Sequence, residues 1–575
     1  MPAPCQIAQK KIDPPSIGRN GYQGFLNKSE ILPKGSAPFN SRKLTCDILV
    51  EHDVGLKVRD GATIYVDVYR PPDGGEKVPA IFSWSPFGKK LNGLKFLEMM
   101  PLYDMGLKPD TLSGLEKFEA IDPADFVLRG YAVINANTRG VRDSDGMCII
   151  MGTQEGEDGV DCIEEIAKKP WCNGNVGMAG NSPLAIAQWF IGQLRPPSLK
   201  AIAPWEGCGD LFREQFFRGG IYAGNFFDHI SQVMIQGNNG MESFKEMYRR
   251  SGGVANPYWE YKRPYITNIN IPTYIKASFS SALHTMGCIR GFFDVDTPIN
   301  GSGSEWHDSW AVPKYTEELL SFFDRYLKGI ENDWEKIPPI RMTTLRFGSQ
   351  DAIVDEPIAS FPPPQVQDRQ LFLSENGSLN LDSQISNTGI ASYNSESGAS
   401  HAAFTYTFDK KTRLCGIPKA VLYMSCDARD DLDVYIIVRK LDKNGKPALA
   451  LNVPWSSIPP NSIEGIPREK ATDLLLYMGP IGMLRESHRE IDSSRSMHPN
   501  YPFHPHTRTQ PVPACEVVNV EFEAGESVQV QVSGQSPQIH SFEELKDKLG
   551  NHDNKGVHKI HFGGDHPSYV VLPFA

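Results

Sequence analysis

Residues 171–190 read WCNGNVGMAGNSPLAIAQWF, and the rest of the chain is interpreted outward from this stretch. NVGMAG is a short apolar run of the kind that forms a buried strand, and SPLAIAQWFIGQL continues it as a helix. Pro183 suits the first helical position, since its φ is already helical and its missing N–H would have no partner there. Ser182 therefore falls at a strand-to-helix junction, where a sharp turn can hold a hydroxyl above the edge of a sheet. The run Gly180-Asn181-Ser182-Pro183 keeps the first glycine and the serine of the pattern G-x-S-x-G. A serine at a helix start can also serve simply as an N-cap.

Upstream lie DILVEHDVGLKV, ATIYVDVYRP and VPAIFSWSP, strand-like runs bounded by Gly or Pro, then an apolar strand at Tyr131–Ala136 and an amphipathic helix over 157–169. Downstream, LKAIAPWEG is another strand. Strands alternating with helices at this spacing predict a parallel sheet covered on both faces. Residues 211–270 interrupt the alternation with the aromatic run LFREQFFRGGIYAGNFFDH and the charged segment MESFKEMYRR, which predicts an inserted helical cap. The alternation resumes at IPTYIKASFS and closes with the helix TEELLSFFDRYLKG, which Gly329 is placed to cap. After FPPPQ the chain is short strands and turns, the pattern of a jelly roll or β-sandwich. The expected organisation is an arm over 1–44, an α/β core over 45–210 and 271–335, a cap over 211–270, and a β-domain over 336–575.

The 575 residues exceed the roughly 250–300 that one hydrophobic core serves, in keeping with several domains. Hydrophobic residues make up 40% and charged residues 22% of the chain, which are ordinary globular values. A net charge of −11 argues against nucleic acid as a partner. No apolar run approaches the ~20 residues that cross a bilayer, so no membrane association is expected. The N-terminal MPAPCQIAQKKIDPP lacks an apolar segment behind its lysines, which points to a cytoplasmic location. The ten cysteines have no regular spacing and read as free thiols. Neither CxxC nor HExxH occurs, so neither a metal site nor a cofactor is expected.

The motifs DGATIYVDVYRP, SPFGKK, RGYAVINANTRGVRDSDG, WCNGNVGMAGNS, FFDRYLKG, LRESHREID with FHPH, and HPSYVVLP occur in an order that resembles the cocaine esterase and X-prolyl dipeptidyl-peptidase group of serine hydrolases. The likeness runs from about Cys46 onward and is closest to fungal-type members. It implies an α/β-hydrolase core, a helical cap and a C-terminal jelly roll, with Ser182 as nucleophile.

The same resemblance exposes departures. One oxyanion donor of the fold is the backbone N–H after the nucleophile, and that residue is Pro183, which has none. The second family donor is a tyrosine in a P-Y-G-K-like segment, and here the segment is Pro86-Phe87-Gly88-Lys89. The family histidine precedes an E-W-x-D segment. Here Glu305-Trp306-His307-Asp308 follows INGSGS, whose glycines and serines read as loop. His307 is one candidate base. His284, in ALHTMG, stands where the triad acid is expected, and no carboxylate lies within 278–287. Asp294 and Asp296 read as solvated, and Arg139, Asp143, His488, Arg489 and Asp492 as structural.

Candidate pocket residues for a small apolar substrate are Phe87, Trp205, Phe216, Phe217, Tyr222 and Phe226, with cap packing the competing role for the aromatic cluster. Three functions remain open. The first is a hydrolase-fold enzyme of specialised metabolism turned to cyclisation, isomerisation or elimination. The second is a serine hydrolase of esters, amides or lactones, and the third is a ligand-binding pseudoenzyme. A homodimer is compatible with each.

Overall fold

The computed structural model describes residues 5–72, 75–93, 107, 110–278, 283–295, 299–302, 306–348, 352–382, 388–451, 476–489, 518–537 and 554–575. Its centre is a nine-stranded sheet. The strands are β1 (Ser29–Leu32), β2 (Ile48–Lys57), β3 (Thr63–Arg70), β4 (Val78–Ser85), β5 (Ala132–Asn137), β6 (Cys172–Asn181), β7 (Leu199–Trp205), β8 (Thr273–Lys276) and β9 (Ile299–Ser302). Their order is β9-β8-β7-β6-β4-β5-β3-β2-β1. From β9 through β5 the pairing is parallel, and β3, β2 and β1 join antiparallel.

Helix α1 (Thr153–Ala167) covers one face. Its Cys162, Ile163 and Ile166 pack with Phe82, Met178 and Ile202. Helix α2 (Pro183–Gly192) is buried on every side, as expected of a helix apolar all round. Between β7 and β8 the chain forms the cap, with α3 (Asn225–Met234) and α4 (Phe244–Ser251). Then come α5 (Thr285–Asp294) and α6 (Pro313–Leu327), whose Leu319, Leu320, Phe322 and Phe323 close the second face over Ala201, Ala203 and Tyr274. Gly329, at φ 70°, ends α6 in the left-handed conformation.

The segment read as loop at INGSGS corrects one expectation: Ile299–Ser302 is strand β9, in parallel register with β8 from Thr273↔Ile299 to Lys276↔Ser302. Its composition is poor for a strand, but pairing with β8 decides its form.

The C-terminal residues form a ten-stranded sheet and a three-stranded sheet around their own core. Asp433–Leu441 pairs with Ser527–Ser533, which pairs with His401–Thr407, and Gln367–Ser374 pairs with Tyr569–Phe574. This β-domain meets the cap at the hairpin Phe217–Tyr222, where Arg485 N–H donates to Gly219 O at 2.7 Å and the His488 ring lies under Gly220. The chain thus has an α/β-hydrolase core followed by a C-terminal β-domain. Among the described residues no helix is long and apolar enough to cross a membrane.

Candidate active site

Ser182 follows β6 at φ 56° and ψ −120°, a conformation that a non-glycine residue adopts only where its surroundings enforce it. Two features enforce it here. Ser182 N–H donates to the Trp205 carbonyl at 3.0 Å, and α2 begins at the next residue. Gly180 completes the turn, because a Cβ there would lie 2.6 Å from Leu184 Cβ. The result is a nucleophile elbow.

Ser182 Oγ lies 3.0 Å from Nε2 of His284, the residue that opens α5. The other ring nitrogen, Nδ1, lies 3.5 Å from Cys208 Sγ, and that sulfur lies 3.2 Å from Gln215 Oε1. A thiol has one proton to give. Given to the Gln215 oxygen, it leaves the sulfur to accept from Nδ1–H, so Nε2 carries the lone pair and Ser182 O–H donates to it. That is the tautomer a general base requires. Gly287 makes the approach feasible: a Cβ there would lie 2.7 Å from Cys208 Cα.

The electrostatics differ from those of an acid-backed histidine. Burial, reinforced by the charge of Arg218, pulls the His284 imidazole down to about 3. Burial also pushes the Cys208 thiol well above its ordinary range, so it stays neutral and offers an imidazolium no counter-charge. Glu214 is near in sequence, but its carboxylate accepts from Gly209 and Asp210 N–H at 2.7 and 3.0 Å and pairs with Arg290 at 3.1 Å. A rate that depends on His284 as base is therefore expected to be flat between about pH 5 and 8, where an ordinary histidine titrates. A sigmoidal rise centred on an ordinary histidine value, or the same midpoint for the His284 ring in an NMR titration, would contradict the assignment.

Phe87 and Pro183 are the residues that the resemblance places at the two oxyanion positions. Pro183 has no N–H, and the Phe87 ring packs on Phe118, itself against Trp306, at centroid distances of 5.6 and 5.9 Å. His307, the alternative base, is buried in the turn before the short helix Asp308–Ala311 with its ring edge-on to Trp306. The imidazole that meets Ser182 is His284.

The aromatic cluster also needs correction as a pocket lining. Phe216 stacks on Phe244, Phe217 on Phe212, and Tyr222 on Tyr248 with its hydroxyl given to Asp228, so these rings hold the cap together. Phe226 is half-buried against the same core. Trp205 stays beside the elbow, buried, with no hydrogen-bond partner for Nε1 among the described residues.

Arg139 is forked onto Asp158 at 2.7 Å. Asp296, Glu305, Asp492 and the FHPH segment lie outside the described residues. Among the described residues, no cluster of three or more His, Cys, Asp or Glu side chains is placed to hold a metal ion. Sequence reasoning passed over the Cys208–Gln215 relay. Its one signal was position, since Cys208 lies just beyond the carboxyl end of β7, where site residues of open α/β sheets gather.

An elbow serine paired with an imidazole at the carboxyl edge of a mainly parallel sheet defines a serine-hydrolase-like α/β protein. Residues 60–263 match the X-Pro dipeptidyl-peptidase (S15 family) model, and residues 332–571 match the X-Pro dipeptidyl-peptidase C-terminal non-catalytic domain. The chain belongs to this CocE/NonD, X-Pro dipeptidyl-peptidase-like family.

It is 31% identical to cocaine esterase from Rhodococcus sp. over 172 residues, 30% of this chain and 26% of that one, so the match spans about a quarter of the relative. A stretch of 95 residues, 16% of this chain and 18% of the other, is 36% identical to an Aspergillus ustus protein named L-tyrosine:2-oxoglutarate aminotransferase. The crystal structure of a CocE/NonD family hydrolase from Staphylococcus aureus superposes with a TM-score of 0.79 at 28% identity, covering 92% of this chain and 94% of that one.

Proposed function

We propose that this protein is a hydrolase-family enzyme in which Ser182 and His284 move protons on a small apolar molecule, in a cyclisation, isomerisation or elimination, rather than form an acyl-enzyme. One observation supports this reading above the others. The serine has its base at 3.0 Å, yet that base is backed by a neutral thiol and faces no inherited oxyanion donor. Acyl transfer needs charge stabilised at both places, on the imidazolium and on the tetrahedral oxygen. Proton transfer within a bound, correctly oriented substrate depends chiefly on geometry. A place in specialised metabolism belongs to the same proposal.

The intact elbow and the Ser182–His284 contact favour a second reading, a slow serine hydrolase. A fluorophosphonate probe separates the two. The expected result is no stoichiometric labelling of Ser182 over hours, with Ser182→Ala and His284→Ala both abolishing conversion of the native small-molecule substrate to an isomer or cyclised product of unchanged mass, or to an elimination product without added water. Prompt labelling, or products whose masses sum to the substrate plus one water, would establish the hydrolase instead.

A further inference from the structure

The cap lends the base one side chain that the sequence motifs do not mark. Gln215 belongs to the π-helical turn Leu211–Phe216, which opens the cap, and turns of this kind recur at functional sites. The residue after it, Phe216, stacks on Phe244 inside the cap at a centroid distance of 4.4 Å. The residue before it, Glu214, pairs with Arg290 on α5, the helix that His284 opens. Gln215 thus stands at the joint between cap and base, and it is buried, as are Cys208 and His284.

The hydrogen bonds here form a chain whose direction is decided at the Gln215 end. Cys208 Sγ lies 3.2 Å from Gln215 Oε1 and 3.5 Å from His284 Nδ1, with Leu283 O farther off at 3.8 Å. A carboxamide presents either an acceptor oxygen or a donor NH2, and a thiol has a single proton. With the oxygen toward the sulfur, the thiol proton is held there, the sulfur accepts from Nδ1–H, and Nε2 is left to accept from Ser182. With that oxygen withdrawn, or exchanged for NH2, the thiol turns to Nδ1. The imidazole proton then resides on Nε2, after exchange with solvent, and Ser182 meets a donor in place of a base. Burial, with the charge of Arg218, keeps the imidazole neutral at pH 7, so it occupies one tautomer or the other, chosen by the partner of its second nitrogen.

We propose that Gln215 is a positioning residue of this site: acting from the cap through Cys208, it holds His284 in the tautomer that can take the Ser182 proton. The base is then competent while the Leu211–Phe216 turn is docked, and loses that competence when the turn is displaced. This rests on the reading of Ser182 and His284 as the proton-moving pair and adds to it a form of control. By linkage, a ligand that favours the docked turn favours the working tautomer by the same free energy.

The test follows the two ring nitrogens of His284 by nitrogen NMR at pH 7, in full-length protein isotopically labelled at histidine, with the signals assigned by their absence from His284→Ala. Wild type is expected to show a protonated Nδ1 and an unprotonated Nε2. Gln215→Met, similar in length but with only a weakly accepting thioether, should lower the ratio of this tautomer to the other about tenfold, the scale of one hydrogen bond. Gln215→Glu, which keeps an acceptor oxygen in place, should leave Nδ1 protonated. A role in packing alone would not separate the two variants in this way. The tautomer is read without substrate, and Ser182→Ala should keep it, so the serine reading can fail while this one stands, and the reverse. A protonated Nε2 in the wild type, or an unchanged ratio in Gln215→Met, overturns the proposal. Gln215→Asn, one methylene too short to reach the sulfur, takes the place of Gln215→Met if that variant does not fold.

Discussion

The triple variant Phe87→Tyr, Pro183→Ala, Cys208→Asp is expected to hydrolyse 4-nitrophenyl acetate with an acyl burst and to take up a fluorophosphonate at Ser182, raising the rate by about 10⁴-fold or more over wild type. Each substitution returns one missing element. Tyrosine at 87 and a backbone N–H at 183 supply donors whose individual loss from an oxyanion hole costs about 10²–10³ in rate. Aspartate at 208 places a carboxylate behind Nδ1 of His284, now 3.5 Å from a thiol, where it can stabilise the imidazolium. Such groups act as a unit, so the single variants should gain little. Cys208→Asp alone should still move the His284 titration upward from about 3, because the carboxylate opposes the burial and the Arg218 charge that now depress it. A folded triple variant as inert as the wild type would show that the missing groups are not what withholds hydrolysis.

Much of the scaffold was legible because its signals are local. The alternation around β4 to β8 is written in apolar runs and turn residues, and the elbow in the passage from NVGMAG to a proline-opened helix. That Phe87 has no hydroxyl and Pro183 no N–H was legible too, because it is a matter of chemical identity wherever they are placed. The base was not. Ser182 and His284 are about a hundred residues apart in sequence, and only the approach of α5 to β7, made close by Gly287, decides that His284 rather than His307 meets the hydroxyl. Cys208 gave little signal because a buried thiol is ordinarily a small apolar side chain. The aromatic run of the cap was ambiguous for a similar reason: composition fixes that Phe216, Phe217 and Tyr222 are buried, but not whether a ligand or one another covers them.

The variant Lys89→Met is expected to destabilise the α/β core by about 3 kcal/mol at pH 7, the lower end of the cost of breaking a buried ion pair. Lys89 is buried in the segment that carries Phe87, and its ammonium pairs with both Asp53 and Asp67, each also buried. Removing it leaves two carboxylates with partial compensation: Lys90 at 3.1 Å from Asp67 and Leu26 N–H at 2.7 Å from Asp53. Burial alone would push the Asp67 carboxyl up, but Lys89, with His52 and Lys90 behind it, outweighs burial and holds it well below the ordinary range. A folded-state value depressed in this way contributes stability above the unfolded value of about 3.9, and that contribution is lost as pH falls through the folded value. In Lys89→Met this contribution is largely gone, so the deficit should be greatest near neutrality and shrink on acidification, as the orphaned Asp67 carboxylate takes up a proton. Denaturant unfolding of the core at several pH values measures it. A deficit that is absent at pH 7, or one that grows on acidification, would mean that the Asp53–Lys89–Asp67 cluster does not anchor the segment that carries Phe87.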